Sequence, residues 1–389
     1  MKIASIRSFL IYPHTPQSGW IGGKNWLFVK VETDEGVSGW GEAYTLPDRE
    51  RNIAQLIEEL TQYLLGRDPF HIKHFNHLVY NDFAGKRGSM DLFCAASAIE
   101  QALWDIVGKV LNTPVYNLLG GPCRERIRVY ANGWYAGVQT PEKLAQRAVE
   151  TLASGFTALK FDPFPGPWRL HISKEDERIA VENVRAVREA VGEDTDLLIE
   201  VHRRLAPMHA IRVARMIERF NPFWYEEPVP SENLDALVEV KRAIRPPVVT
   251  GETLYTKMAF REVFEKQAAD IVNPDVANCG GILELKEIAA IAETYYVAIS
   301  PHNYNSTTVA LAATIQAAAT MPNFLITEYF VNFAESGKLI CVNPFEVEGG
   351  YIRIPTASGL GLNMNEEALQ AYRYQRSPRR EFRHPSDEG

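Results

Sequence analysis

Hydrophobic and polar positions alternate along the first 46 residues with the period of two that is typical of β-strands. The segments KIASIRSFLIY, NWLFVKVET and VSGWGEAY carry this alternation, and the turn residues Asp34-Glu35-Gly36 separate the last two. Apolar positions then recur at helical spacings between residues 50 and 120, notably in AASAIEQALWDIVGKVLN. Residues 1–121 are therefore predicted to form an α+β capping domain.

The pattern changes beyond this segment to a regular alternation of short apolar strands and amphipathic helices. The predicted strands span residues 128–134, 158–162, 197–202, 223–228, 248–252, 270–275, 297–303 and 324–330. Eight such strands in succession predict an α/β fold in which residues 122–336 form a closed (β/α)8-type barrel. No GxGxxG follows any of these strands, which removes the usual dinucleotide-binding alternative. Residues 337–389 return to strand and turn patterns and are predicted to pack back on the capping domain.

Composition and charge narrow the classes of function. The chain has 389 residues, of which 46% are hydrophobic and 23% charged, as in an ordinary globular protein. Its formal net charge of -8 gives no general attraction to nucleic acid or to anionic membranes, so binding of either is not expected. There is no signal-peptide pattern, no apolar run of roughly 18 residues or more, and no CxxC pair among the four cysteines. A reduced, cytoplasmic setting is therefore expected.

Three glutamates lie at or near the ends of neighbouring predicted strands. Glu200, Glu226 and Glu252 follow one another at intervals of 26 residues, one β/α period apart. The carboxyl ends of barrel strands open onto one mouth, where carboxylates without a cation would repel each other. Three oxygen ligands on adjacent strands suit Mg²⁺. A single glutamate at a strand end is more often a solvated loop residue or a helix-cap partner, but three in register make coincidence a poor explanation.

Two histidines and their neighbours complete the predicted mouth. Strand alternation places Glu200 and His202 on one face, so His202 is predicted to lie beside the metal rather than in the core or on the surface. Asp275 ends the strand before the one that carries His302, within expected hydrogen-bonding reach. A carboxylate behind an imidazole orients the ring and raises its basicity, as a general base requires. Glu328 ends the last predicted strand.

Short motifs at these positions carry a resemblance to a known family. They are Lys160-x-Asp162, Glu200-x-His202, Glu226-Glu227-Pro228, Gly251-Glu252, Asn273-Pro274-Asp275, Pro301-His302 and Thr327-Glu328-Tyr329. Together they resemble the mandelate racemase-like branch of the enolase superfamily, and more narrowly its acid-sugar dehydratases, typified by gluconate and galactonate dehydratases. The resemblance covers nearly the whole chain and includes VSGWGEA, ALWDIVGK, LLGGP and GLGLNMN.

The resemblance implies a metal site and a base. Glu200, Glu226 and Glu252 would bind Mg²⁺, and His302, backed by Asp275, would remove the proton α to the substrate carboxylate. It also implies a sugar acid as the small-molecule substrate and a symmetric homo-oligomer as the assembly.

Further roles concern the leaving group and the substrate. Glu328 would hydrogen-bond a carboxylate oxygen as charge accumulates on it. His202, facing His302 across the barrel, would protonate the β-hydroxyl so that it leaves as water, giving a 2-keto-3-deoxy acid. Lys160 and Asp162 are candidates for binding the substrate carboxylate and a hydroxyl, and a flap carrying Trp20 is predicted to close over the sugar chain.

Alternatives remain open. Racemases of this branch commonly carry Lys-x-Lys where this chain has Lys160-Phe161-Asp162, which disfavours racemisation, although His202 could serve as a second base. An epimerase, racemase or cycloisomerase is the main rival to a dehydratase. Arg203 stands where a glycine is frequent in the family. An inactive scaffold would be expected to have lost metal ligands, and a metal hydrolase would need more histidines at strand ends.

Overall fold

The computed structural model describes residues 1–13, 24–83, 88–138, 140–378 and 384–388. Trp20 lies outside the described residues, so the flap stays a prediction. The Lys86-Arg87 pair, which the sequence favours as part of a solvated loop over a contact with the sugar chain, also lies outside them. Within the described residues, no helix combines the length and the apolar character needed to cross a bilayer.

The N-terminal part of the chain is a three-stranded antiparallel meander covered by helices, as its alternating pattern predicts. The strands are β1 (Ile3–Ile11), β2 (Trp26–Thr33) and β3 (Ser38–Ala43), and the helices are α1 (Glu50–Leu64), α2 (Ile72–Leu78), α3 (Met90–Val110) and α4 (Val115–Leu118), with a π-helical turn at Val79–Phe83.

Glycines set the distance between this sheet and its longest helix. Strand β3 lies against α3 so closely that a Cβ on Gly41 would stand 1.7 Å from the carbonyl oxygen of Ala98. A Cβ on Gly39 would stand 2.1 Å from the carbonyl oxygen of Ala102. Only glycine allows this backbone contact, which explains the spacing of the two residues in VSGWGEA.

The rest of the chain alternates strands and helices. The strands are β4 (Arg126–Asn132), β5 (Ala158–Phe161), β6 (Asp196–Glu200), β7 (Trp224–Glu226), β8 (Val248–Thr250), β9 (Ile271–Val272), β10 (Ala298–Ile299), β11 (Thr327–Phe330) and β12 (Tyr351–Arg353). The helices are α5 (Pro141–Ala153), α6 (Lys174–Val191), α7 (Pro207–Ile217), α8 (Leu234–Ala243), α9 (Thr256–Glu265), α10 (Ile282–Thr294), α11 (Val309–Ala318), α12 (Ala334–Ile340) and α13 (Glu366–Ala371), with 3₁₀ turns at Glu218–Phe220, Val331–Phe333 and Pro385–Glu388.

Strands β4 to β11 form a closed parallel barrel. Their spatial order follows the sequence, and β11 returns to pair with β4. The remaining gap, between β10 and β11, is closed where Ile299 accepts a hydrogen bond from the backbone N–H of Leu325 (2.8 Å) and donates one to the carbonyl oxygen of Asn323 (2.9 Å). The predicted (β/α)8-type barrel with an α+β capping domain is confirmed.

Several barrel strands are shorter than the sequence predicts. Strands β9 and β10 each have two residues, where the apolar runs predict six or seven. Beyond them the chain leaves the ladder, and Asp275 and His302 pair only through an isolated bridge. Of the polar residues at these ends, His302 lines the cavity at the barrel mouth.

Buried carboxylates join the capping domain to the barrel. Glu42, on β3, accepts hydrogen bonds from the hydroxyls of Ser306 (2.7 Å) and Thr308 (3.0 Å) and from the backbone N–H of Ala310 (2.8 Å). These contacts fix the end of β3 over the loop that follows β10. The capping domain thereby brings Tyr44 to the mouth of the barrel.

The C-terminal segment contacts both parts of the molecule. Strand β12 pairs with β4 of the barrel. The backbone N–H of Leu360 donates to Asp105 of α3 at 2.8 Å, and Glu366 forms an ion pair with Lys30 of β2 at 2.7 Å.

Candidate active site

The barrel brings the three predicted metal ligands together. Glu200 and Glu226 are the last residues of β6 and β7, and Glu252 lies two residues beyond β8. One carboxylate oxygen from each lies within 4.8 Å of the others, and all three residues are buried. Parallel pairing of adjacent strands aligns Glu200 directly with Glu226, so the regular spacing in the sequence becomes proximity in space.

The surroundings separate the pKa values of these carboxyls. Burial, reinforced by the neighbouring Glu200, raises the pKa of Glu226 well above its usual range. Burial alone would also raise the pKa of Glu252, but the adjacent Arg203 and His302 hold it well below its usual range. Glu226 therefore lacks enough nearby positive charge to favour its ionised form, whereas Glu252 already has that charge in Arg203 and His302.

Lys160 forms ion pairs with two members of this trio and with Glu328. Its Nζ lies 2.9 Å from Oε1 of Glu226, 2.9 Å from Oε1 of Glu328 and 3.4 Å from Oε2 of Glu200. Burial by itself would lower the pKa of Lys160, but Glu226 and Glu328 raise it well above its usual range. The ammonium expected to bind substrate is thus already surrounded by protein carboxylates.

The carboxylate trio fits a divalent cation. Oε2 of Glu226 is buried and accepts no hydrogen bond, and Oε2 of Glu200 is buried with no partner closer than the Lys160 ammonium at 3.4 Å. Oε1 of Glu226 is oriented by the amide of Asn273, which donates to it at 2.8 Å. A buried carboxylate oxygen without a hydrogen-bond donor is costly unless a cation pairs with it. A hydrogen bond such as that from Asn273 to a carboxylate orients the carboxylate for binding a metal. Glu200, Glu226 and Glu252 would therefore hold a small, hard cation such as Mg²⁺.

The predicted pairing of His302 with Asp275 is present. Nδ1 of His302 lies 2.8 Å from Oδ2 of Asp275, and the backbone N–H groups of Ala277 and Tyr304 also donate to this carboxylate. Nε2 points toward the carboxylate trio, 3.3 Å from Oε2 of Glu252. Burial alone would lower the pKa of His302, but the carboxylates around it raise the pKa to about 10.

Glu328 lies among donors. Its Oε1 accepts from the Asn132 amide at 2.7 Å, and its Oε2 accepts from the backbone N–H of Asn303 at 3.1 Å. Although burial would raise the pKa of Glu328, Lys160 and His302 lower it. The role expected of Glu328, a hydrogen bond to a substrate carboxylate, requires a protonated carboxyl, whereas these neighbours favour the ionised form.

His202 reaches the site by a route that strand alternation did not predict. Strand β6 ends at Glu200, and His202 has a left-handed backbone with φ 55°. The argument that two residues on one strand share a face is therefore wrong here. Instead, the backbone N–H of His202 donates to Oε1 of Glu200 at 2.7 Å, and its ring turns toward Asp162.

Asp162 lines the cavity at the barrel mouth, and its carboxylate already has partners in the protein. Its Oδ2 lies 2.7 Å from Nδ1 of His202 and accepts a hydrogen bond from Arg204. Its Oδ1 accepts from the backbone N–H of Phe164 at 2.9 Å. A substrate hydroxyl that binds Asp162, as the sequence predicts, would have to compete with these donors.

These groups surround a cavity of about 510 Å³ at the mouth of the barrel. Residues that line it include Tyr44, Asn132, His202, Arg203, Glu252 and His302. Three of them were not predicted as site residues. Asn132 ends β4 and could have been found by the strand-end rule that found the glutamates. Tyr44 and Arg203 could not, because the first comes from the capping domain and the second from a loop.

Comparisons with known proteins agree with this geometry. The description "Mandelate racemase / muconate lactonizing enzyme, N-terminal domain" matches residues 7–120, and "Enolase C-terminal domain-like" matches residues 143–368. The chain is 34% identical to D-gluconate dehydratase of Thermoproteus tenax, over 95% of this chain and 74% of the relative. It is 36% identical to D-gluconate/D-galactonate dehydratase of Picrophilus torridus, over 90% and 88%. It is also similar to the crystal structure of a mandelate racemase/muconate lactonizing enzyme from Jannaschia sp. CCS1, with a TM-score of 0.89 and 33% identity over 96% and 98% of the two chains.

Proposed function

The chain belongs to the mandelate racemase/muconate lactonizing enzyme family of the enolase superfamily, and from this premise we propose that it is an Mg²⁺-dependent dehydratase of a gluconate-like or galactonate-like sugar acid. Relatives named as dehydratases support a hydro-lyase acting on a sugar acid. One observation carries the proposal: a single cavity is lined by two members of a buried carboxylate trio, by a histidine backed by an aspartate, and by a second histidine.

The first step is removal of the α-proton. A cation held by Glu252 would offset part of the negative charge that raises the pKa of His302, which favours the neutral ring that a base requires. His302 then accepts the proton from C2 of the substrate on Nε2, while Asp275 keeps Nδ1 protonated and the ring oriented. When bound by Glu200, Glu226 and Glu252, Mg²⁺ supplies positive charge beside the substrate carboxylate, where loss of the proton adds negative charge.

The second step is loss of water. His202 gives a proton to the hydroxyl on C3, the C3–O bond breaks, and the electrons left at C2 form the C2=C3 double bond. The resulting enol tautomerises to a 2-keto-3-deoxy acid. His202 and His302 line the same cavity, so one group can remove a proton while the other delivers one.

The cavity supports a polar substrate of modest size. Its volume of about 510 Å³ falls within the range of small-molecule sites, and charged and hydroxylated side chains line much of it. Tyr44 stacks on Tyr304 with ring centroids 4.9 Å apart, and Tyr304 in turn stacks on His302. This aromatic group covers the base on the capping-domain side, which limits access of water to it.

The test is incubation with Mg²⁺ and a panel of C5 and C6 sugar acids, followed by a chromogenic assay for 2-keto-3-deoxy acids. Formation of the keto acid from at least one substrate is expected. His302→Asn should lose both product formation and exchange of the α-proton with solvent deuterium. His202→Asn should lose product formation but keep exchange.

Other outcomes would change the assignment. Exchange that is lost in His202→Asn and kept in His302→Asn would reverse the base and the acid. A change of configuration at C2 or at another carbon without keto acid would identify an epimerase or racemase instead.

A further inference from the structure

We propose that Asp162 is a positioning residue for the general acid, holding the ring of His202 so that Nε2 delivers the proton to the leaving hydroxyl. The proposal rests on the function proposed above, in which His202 is that acid. Its basis is the contact between Oδ2 of Asp162 and Nδ1 of His202, at 2.7 Å.

The Asp162 carboxylate is fixed before any substrate arrives. Asp162 directly follows the end of β5, so the barrel sets the position of its backbone. Its Oδ1 accepts a hydrogen bond from the N–H of Phe164 at 2.9 Å, and its Oδ2 accepts one from Arg204. Arg204 is buried and is itself held by the carbonyl oxygen of Val201, to which its Nε donates at 2.8 Å. The carboxylate therefore has little freedom to turn toward a ligand.

The backbone of His202 is held in an unfavourable conformation. Its φ of 55° lies in the left-handed region, which residues with a side chain rarely adopt. Such strain persists only where surrounding contacts determine the position, and it occurs often at functional sites. Here the contacts are the N–H bond to Glu200 and the ring bond to Asp162.

Trp168 fixes the plane of the imidazole. Its indole stacks on the ring of His202 with centroids 5.2 Å apart and an angle of 16°. The same indole lies 5.0 Å from the guanidinium of Arg204. The ring of His202 is therefore restrained in its plane by Trp168 and at one edge by Asp162.

These restraints define how the proton moves. Nδ1 keeps its hydrogen in the bond to Asp162 throughout, so Nε2 is the nitrogen that exchanges a proton with the substrate. The proton passes from Nε2 to the C3 hydroxyl, the C3–O bond breaks, water leaves, and the ring remains neutral with Nδ1–H on Asp162. The cavity thus contains two aspartate–histidine pairs, one for removing a proton and one for delivering it.

The decisive variant is Asp162→Asn, assayed with gluconate or galactonate and Mg²⁺. Dehydration should fall by about 10²–10⁴-fold, as expected when an aspartate that sets the tautomer of a histidine is replaced. Exchange of the α-proton with deuterium, which depends on His302, should remain near the wild-type rate, with KM little changed. Asp270→Asn is the matched control, because Asp270 precedes β9, bonds the N–H of Val248 and lies outside the cavity. It should leave the ratio of dehydration to exchange unchanged.

Trp168 provides a second variant that preserves the fold, because its side chain is 54% exposed. Trp168→Ala should lower the ratio of dehydration to exchange, and Trp168→Phe, which keeps an aromatic face, should restore much of it. A tautomer measurement adds a readout that does not need turnover. In ¹⁵N-histidine-labelled protein with Mg²⁺, the signals of the His202 ring are identified by their loss in His202→Asn. The neutral ring should carry its hydrogen on Nδ1. Asp162→Asn should change the nitrogen that carries the hydrogen.

Several results would overturn the proposal. An equal loss of exchange and dehydration in Asp162→Asn would indicate a structural or metal-related role, and a rise in KM alone would restore the substrate-hydroxyl role. A neutral His202 with its hydrogen on Nε2 in the wild type would refute the positioning role directly. If the wild type neither exchanges protons nor forms keto acid with any sugar acid, the proposed function fails, and the tautomer measurement still decides whether Asp162 holds the ring.

Discussion

Replacing Lys160 by Met removes one buried positive charge while keeping most of the volume of the side chain. Lys160 is 2% exposed and pairs with Glu226 and Glu328 at 2.9 Å each, with Glu200 at 3.4 Å. The variant leaves these carboxylates buried without their common partner. Some of them would then take up a proton or pair with a metal ion more strongly.

The expected loss in the free energy of unfolding follows from the burial of Lys160 and its carboxylate partners. Removing one partner of a buried ion pair costs about 3–5 kcal/mol, because the remaining charge stays desolvated. Mg²⁺ bound by Glu200, Glu226 and Glu252 would offset part of this cost. Saturation with an ion at about 100 times its Kd stabilises a folded protein by about 2.7 kcal/mol, and tighter binding stabilises it more. The loss of stability in Lys160→Met is therefore expected to be large without Mg²⁺ and smaller with it.

The assay is denaturant-induced unfolding of wild type and Lys160→Met, each in EDTA and in saturating Mg²⁺. Lys338→Met is the control, since Lys338 pairs with Glu335 at 2.7 Å on an exposed surface and should contribute almost nothing. A loss in Lys160→Met that is as small as in the control would refute the reasoning about the buried cluster. A large loss that is the same with and without Mg²⁺ would show that Lys160 does not affect the binding of the ion, and unfolding curves that Mg²⁺ shifts in neither protein would refute the metal site.

Three further predictions concern the base, the metal and the packing of β3 on α3 inside the capping domain. Asp275→Asn should lower α-proton exchange and dehydration together by about 10²–10⁴-fold, because both require removal of the α-proton by His302. Deuterium exchange measured by NMR, together with the keto-acid assay, would show whether the two rates fall in parallel. Chelation of Mg²⁺ should abolish keto-acid formation and lower the unfolding midpoint, and Glu226→Gln should make that midpoint insensitive to Mg²⁺. Gly41→Ala should destabilise the protein by at least about 1–3 kcal/mol, because the new Cβ would stand 1.7 Å from a backbone oxygen of α3; an unchanged unfolding curve would contradict this.

Much of the fold follows from local pattern. Alternation and turn residues predict the three-stranded meander, and eight apolar strands separated by amphipathic helices predict the barrel. The prediction of strand ends is less accurate, because the predicted strands include the buried, mostly polar residues 273–275 and 300–303, which lie beyond the ends of β9 and β10. Hydrophobicity records burial, and a residue can be buried at the barrel mouth without belonging to a strand.

The sequence by itself determined which acidic groups meet. Glu200, Glu226 and Glu252 share a period of 26 residues, and parallel strands convert that period into contact, so no knowledge of side-chain geometry is needed. The pairing of Asp275 with His302 follows in the same way from adjacent strands.

Only the tertiary structure decided how the remaining site residues are used. The left-handed backbone at His202 turns its ring toward Asp162, and Lys160, although it lines the cavity, is paired with Glu226. Tyr44 reaches the cavity from another domain. Spacing along a strand fixes where a Cα lies, whereas the direction and partner of a side chain depend on backbone angles and on neighbours that are distant in sequence.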